Sequence, residues 1–243
     1  MKKLIVANWK MQLTNKEAGK LARQLGALKW SGLELVLCPS FTALEPVARA
    51  LKKKYLLGAQ DVFWARPGAY TGEIAAADLK ELGCQYVLIG HSERRQFLGE
   101  TDQMVGQKVP AALEAGLTPV VCVGESEAER RRGEEETIVK RQLAAALDGL
   151  AVGRKNLVIA YEPVWAIGSG RTPKPREIQA MHQLIARALE EANVTQARVI
   201  YGGSVTADNI LDFVNLPEVD GALIGGASPD FKKFKALLQT LKS

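Results

Sequence analysis

The stretch AYEPVWAIGSGRTP, Ala160–Pro173, carries an apolar run (Leu157, Val158, Ile159, Ala160) onto one carboxylate, Glu162. Pro163 follows, then an apolar segment that ends in Gly168, Ser169 and Gly170. The run is continuous rather than alternating, as in a strand buried on both faces of a parallel sheet. Catalytic groups of parallel α/β folds gather where such strands end. Glycines give the following loop backbone freedom and exposed N–H groups. Trp165 and Ile167 can exclude water when such a loop closes, and a drier carboxylate is a stronger base. Taken alone, the stretch reads equally as a strand, a turn and a structural glutamate.

Seven more short apolar runs repeat the pattern. With Leu157–Ala160 they are Leu4–Ala7, Leu33–Cys38, Tyr55–Gly58, Tyr86–Ile89, Pro119–Val123, Val199–Tyr201 and Gly221–Ile224. Helical patterns separate them. Thr14, Asn15, Lys16 and Glu17 spell a capping box at the start of the first helix, and Leu21, Leu25 and Leu28 recur at helical spacing. Eight strand–helix units in 243 residues come to about 30 residues each, one βαβ step. No linker or low-complexity segment divides them. The expected fold is a single α/β domain over residues 1–243, an eight-stranded parallel (β/α)8 barrel.

Composition narrows the function. The longest apolar runs fall far short of the ~20 residues a membrane helix needs. The opening MKKLIVANWK has only four apolar residues in its core, too few for a signal peptide. These features indicate a soluble cytoplasmic protein. Three widely spaced cysteines, Cys38, Cys84 and Cys122, argue against disulfides or a zinc site. The two histidines, His91 and His182, have no clustered ligands nearby, so no metal is expected. The net charge of +5 can steer an anionic substrate. Arg130, Arg131 and Arg132, followed by Glu134, Glu135 and Glu136, read as a solvated helix face. No aromatics interleave with them as in a single-strand nucleic-acid binder.

The polar residues fall at strand ends: Asn8 and Lys10 after the first strand, His91 and Glu93 after the fourth, Glu162 after the sixth. Gly202, Gly203 and Ser204 follow the seventh, and Gly225 and Gly226 the eighth. In a barrel all of them share one rim. Paired glycines let backbone N–H groups approach an anion, and phosphate sites after strands seven and eight recur in barrels. Each residue singly also has an ordinary reading as a cap, a turn or a surface group.

The motifs ANWKM, GHSERR, AYEPVWAIG, YGGSV and GGAS, in this order, resemble the triosephosphate isomerase family over nearly the whole chain. GAQD, TGE, GQKV and CVGE add to the resemblance. It implies interconversion of dihydroxyacetone phosphate and glyceraldehyde 3-phosphate, a step of glycolysis and gluconeogenesis, through an enediolate and without a cofactor. It implies Glu162 as the base and His91 as a neutral hydrogen-bond donor; this family is a known case of an imidazole kept neutral by a helix N-terminus. Lys10 supplies positive charge, Asn8 a polar contact, and Glu93 supports the lysine or relays protons. Gly168, Ser204, Gly225 and Gly226 would grip the phosphate, and gripping it drives closure of the lid. The resemblance further implies a homodimer in which Thr71 and its loop reach the partner's site near Asn8 and His91. Two alternatives remain. Another phosphate-binding barrel isomerase would share the glycine turns but not GHSERR with AYEPVWAIG. A non-catalytic relative should have lost Lys10, His91 or Glu162.

The chain departs from the family pattern in places. Gln12 replaces an asparagine, with a small local effect expected. Ser169 and Arg171 stand where threonine and lysine are common. Pro173 stands where an alanine N–H normally latches the closed lid to the hydroxyl matching Tyr201, and proline has no N–H. Ser204 is therefore expected to carry more of the closed state. Pro110 falls inside the helix expected at Asp102–Glu114, where a bend or an irregular first half is predicted.

Overall fold

In the computed structural model, which describes residues 2–52, 54–150, 156–195 and 197–241, eight parallel strands close into a barrel in sequence order. They are β1 (Lys3–Asn8), β2 (Leu33–Cys38), β3 (Leu56–Ala59), β4 (Cys84–Ile89), β5 (Thr118–Val123), β6 (Val158–Tyr161), β7 (Arg198–Tyr201) and β8 (Gly221–Ile224). All eight predicted runs are strands. Closure comes from β1, whose Ile5 pairs with Leu35 on one side and Ala222 on the other.

The helices are α1 (Asn15–Gly26), α2 (Leu44–Leu51), α3 (Ala76–Glu81), α4 (Ser92–Leu98), α5 (Asp102–Glu114), α6 (Glu127–Arg131), α7 (Glu135–Leu147), α8 (Pro175–Glu191), α9 (Ile210–Val214) and α10 (Phe231–Thr240). The predicted capping box opens α1: Thr14 accepts the Glu17 N–H while Glu17 takes the Thr14 N–H.

Alternate residues of each strand enter two separate cores. Leu4, Val6, Val36, Leu88, Val120 and Ile200 fill the barrel. Ile5, Ala7, Leu35, Leu37, Ile89 and Val121 face the helices. Both sets are apolar, so the strands read as unbroken apolar runs. Glu34, Tyr86 and Arg198 close the amino-terminal mouth: both Arg198 and Tyr86 donate to Glu34. Burial and the Glu34 hydrogen bond push the Tyr86 phenol up to about 12.

One sequence reading is narrowed and another corrected. α5, which holds Pro110, is helical throughout Asp102–Glu114, so of the bend or irregular first half expected there, the irregular first half is not seen. Proline withholds one N–H, from the Gly106 carbonyl four residues back. Thr101 caps the start of α5, and Gly106 packs so closely on α7 that a Cβ there would lie 2.5 Å from the Ala145 carbonyl oxygen. Nor are the three arginines alike. Arg131 and Arg132 are exposed, but Arg130 turns inward, donates to Glu125 and Glu177, and lies over the Trp165 ring. A charge run does not record which way each helical position points.

Candidate active site

The carboxyl ends of the strands converge on a cavity of about 460 Å³. Asn8, Lys10, His91, Glu162, Gly168, Ser204, Gly225 and Gly226, all expected at the site, line it together. Glu93 reaches it through Lys10, whose ammonium it meets at 2.5 Å.

β1 ends at Asn8, and the backbone then folds so that Lys10 adopts a φ of +51°, uncommon and costly for a residue with a side chain. Two contacts hold it. Asn8 Oδ1 accepts the Lys10 N–H at 3.0 Å. Gln60, just past β3, donates its amide to the carbonyls of both Lys10 and Cys38 at 2.9 Å. The lysine is thereby pinned from its own backbone. Ser228 ties the opposite flank, donating to the carbonyls of Asn8 and Gly225.

His91 caps α4. Its Nδ1 accepts the N–H of Glu93 at 3.2 Å, which requires a lone pair there and puts the proton on Nε2. Nε2 faces the Glu162 carboxylate, 3.2 Å from Oε1. Glu162 Oε2 takes the Ser92 N–H at 3.0 Å, at the positive end of the same helix. Both residues are buried. Space is tight around the glutamate: a Cβ at Gly202 would come within 2.8 Å of Glu162 Cγ. Cys122 lies close by, and burial, then the Glu162 charge, push its thiol well up, so it stands neutral.

The segment after Glu162 is anchored at its base and exposed at its tip. Buried Glu125, at the end of β5, accepts hydrogen bonds from the Tyr161 hydroxyl, the Trp165 indole and Arg130. At the tip, Gly168 and Gly170 take φ of +66° and +74°, conformations open to glycine. Arg171 reaches back to Glu127 at 2.9 Å and lies over the Trp165 ring. The Ser204 hydroxyl donates to the Ala166 carbonyl, joining the β7 loop to the lid. The Tyr201 hydroxyl is buried and finds no partner among the described residues. Pro173 is buried as well.

The sequence profile of the triosephosphate isomerase family matches residues 3–241. Proteins named triosephosphate isomerase from Thermus thermophilus and Moorella thermoacetica are 45% and 44% identical, with 97% of each chain covered in both cases. One from Endomicrobium trichonymphae is 42% identical over 99% of both chains. The chain belongs to the triosephosphate isomerase family. Membership accounts for the shared rim of Lys10, His91 and Glu162, and it removes the non-catalytic relative and the other barrel isomerases as the favoured readings.

Sequence reasoning about this triosephosphate isomerase family member assigned no task to Gln60, Glu125 or Ser228. GAQD, CVGE and GGAS were visible as motifs, but the contacts of Gln60 with Cys38, Glu125 with Trp165 and Ser228 with Asn8 span 22, 40 and 220 residues. Among the described residues no cluster of three or more His, Cys, Asp or Glu is placed to hold a metal ion. No helix among them is long and apolar enough to cross a membrane.

Proposed function

We propose that the protein interconverts dihydroxyacetone phosphate and D-glyceraldehyde 3-phosphate by moving one proton through an enediolate. The observation that carries this reading is the contact between Glu162 and His91 in the cavity that also holds Lys10. Glu162 removes the carbon-bound proton and returns it to the neighbouring carbon. To reach that carbon, its carboxylate must leave the Ser92 N–H and the His91 Nε2–H. Losing those donors makes it a stronger base, and it frees Nε2–H for the substrate's two oxygens. Negative charge building on those oxygens is met by that donor and by the Lys10 ammonium. Glu93 holds the ammonium in place, and Asn8 holds the lysine backbone.

Gly225, Gly226 and Gly168 offer backbone N–H groups to the phosphate, and the Ser204 hydroxyl joins them by turning from the Ala166 carbonyl. Lid closure then excludes water and protects the enediolate. The chain works in the cytoplasm as one domain, without a cofactor.

The reading extends to a homodimer. Met11 is 94% exposed, Phe97 71% and Leu98 66%, and all three line one surface cavity beside Lys10, His91 and Glu93. Such side chains bordering a catalytic rim mark a surface meant to be covered. The loop that carries Thr71 is closed at its base by the Phe63 N–H to Ile74 carbonyl bond and packed inside by Phe63 on Trp64 and Tyr70. It is the segment suited to enter that cavity on a second copy.

A coupled isomerase assay on the wild type beside Glu162→Asp tests the reading. Retracting the carboxylate by one carbon should lower kcat by about 10²–10³-fold with the fold retained. An inactive wild type, or an Asp variant of equal activity, would reject it.

A further inference from the structure

A second lysine borders the catalytic cavity. Lys233 lies in the first turn of α10 and lines the cavity at its phosphate end, with Ser204, Thr206, Gly225, Gly226 and Ala227. Its side chain is exposed and joins no ion pair among the described residues. The nearest carboxylate along the chain, Asp230, is committed to capping: it accepts the N–H groups of Lys232 and Lys233 at 2.8 and 3.0 Å. Lys10 differs on each count. It is largely buried, it is held at 2.5 Å by Glu93, and its side chain passes against Gly225 toward the reacting end.

The glycine turns and Ser204 offer a phosphate only partial charges. A phosphate monoester carries about −1.5 to −2 at neutral pH. An exposed ammonium at the rim of those turns, with no carboxylate at ion-pair distance among the described residues, supplies a full charge where the glycines cannot. We propose that Lys233 is a phosphate-binding and substrate-steering residue of this site, reaching the phosphate from the α10 side. The proposal rests on reading the cavity as a triose phosphate site. Lys233 stands on α10 and not on the lid, so its contact with the phosphate forms on encounter and is unchanged by the closure that completes the Gly168 contact. Lys233 therefore acts on KM and on the encounter rate, and leaves kcat alone. Being exposed, its effect fades with salt over a Debye length of about 8–10 Å. It should act equally on any small phosphate anion.

The test compares wild type, Lys233→Gln, Lys233→Arg and Lys232→Gln. Lys232 is an exposed neighbour in the same helical turn that does not line the cavity, so its loss controls for net charge. At low ionic strength Lys233→Gln should raise KM and the inhibition constant of inorganic phosphate about three- to tenfold. Its kcat should stay within about twofold, and kcat/KM should lose much of its salt dependence. Lys233→Arg should return most of the loss, and Lys232→Gln should change neither constant appreciably. Equal effects at positions 232 and 233, no effect at either, or a loss confined to kcat and Tm would overturn the proposal. If the wild type fails to isomerise triose phosphates, the functional reading fails on its own. Calorimetric titration with inorganic phosphate then decides the lysine separately: weaker binding by Lys233→Gln supports it, and equal binding overturns it.

Discussion

His91 Nε2 and Glu162 Oε1 lie 3.2 Å apart, and the other carboxylate oxygen takes the N–H of Ser92. Proposed donor and proposed base thus engage each other directly, both at the amino end of α4. A substrate must come between them, and in doing so it turns the glutamate toward carbon and the imidazole toward oxygen.

His91→Gln removes the Nε2–H that this arrangement directs at the developing oxyanion. Loss of one such donor typically costs about 10²–10³-fold in kcat. Steady-state assays should show that fall in kcat with KM changed far less, and the melting temperature should hold within a few degrees. A fall below tenfold would mean that Lys10 suffices as the electrophile.

Pro173 has no N–H, and the Tyr201 hydroxyl is buried with no partner among the described residues, so the latch that the family resemblance implies between these positions is predicted to be missing. Pro173→Ala restores the donor. The expected outcome is slower lid opening in relaxation measurements, or tighter binding of a transition-state analogue. Tyr201→Phe in the wild-type background should leave stability unchanged or improved, because it deletes an unpaired buried hydroxyl. Unaltered opening and analogue affinity in Pro173→Ala would refute the missing-latch account.

His182 is fully buried on α8, edge-on to Tyr161, with Nδ1 on the Glu218 carbonyl and Nε2 without a partner among the described residues. Burial lowers its pKa to about 4, while an unfolded histidine titrates near 6.5. Between these values the unfolded chain binds the extra proton. Stability therefore falls as pH drops from about 6.5 toward 4, by up to ~1.4 kcal/mol per pH unit, and this group adds no further loss below that. Urea titrations at fixed protein concentration should show that slope in the wild type and a shallower one in His182→Leu. Parallel slopes would assign the acid sensitivity elsewhere.

The strands and the rim were legible because both are local. A parallel barrel buries each strand on two faces, so Leu4–Ala7 or Leu157–Ala160 stands out as an unbroken apolar run. Chemistry at strand ends then places Lys10, His91 and Glu162 together. The capping box at Thr14 was legible for the same reason, with its partners three residues apart. Arg130 misled because its meaning depends on side chains outside the charge run, Glu125, Trp165 and Glu177.

Sequence alone settled the element order and the barrel class, since a few consecutive residues carry burial pattern and turn chemistry. Only the closed barrel decided who meets whom. Gln60 holds the backbone of Lys10, Glu125 anchors the base of the segment after β6, Ser228 ties β8 to β1, and Lys233 lines the cavity with Gly225 and Gly226. Those meetings depend on bringing strand ends from distant parts of the chain onto one ring, which no local pattern encodes.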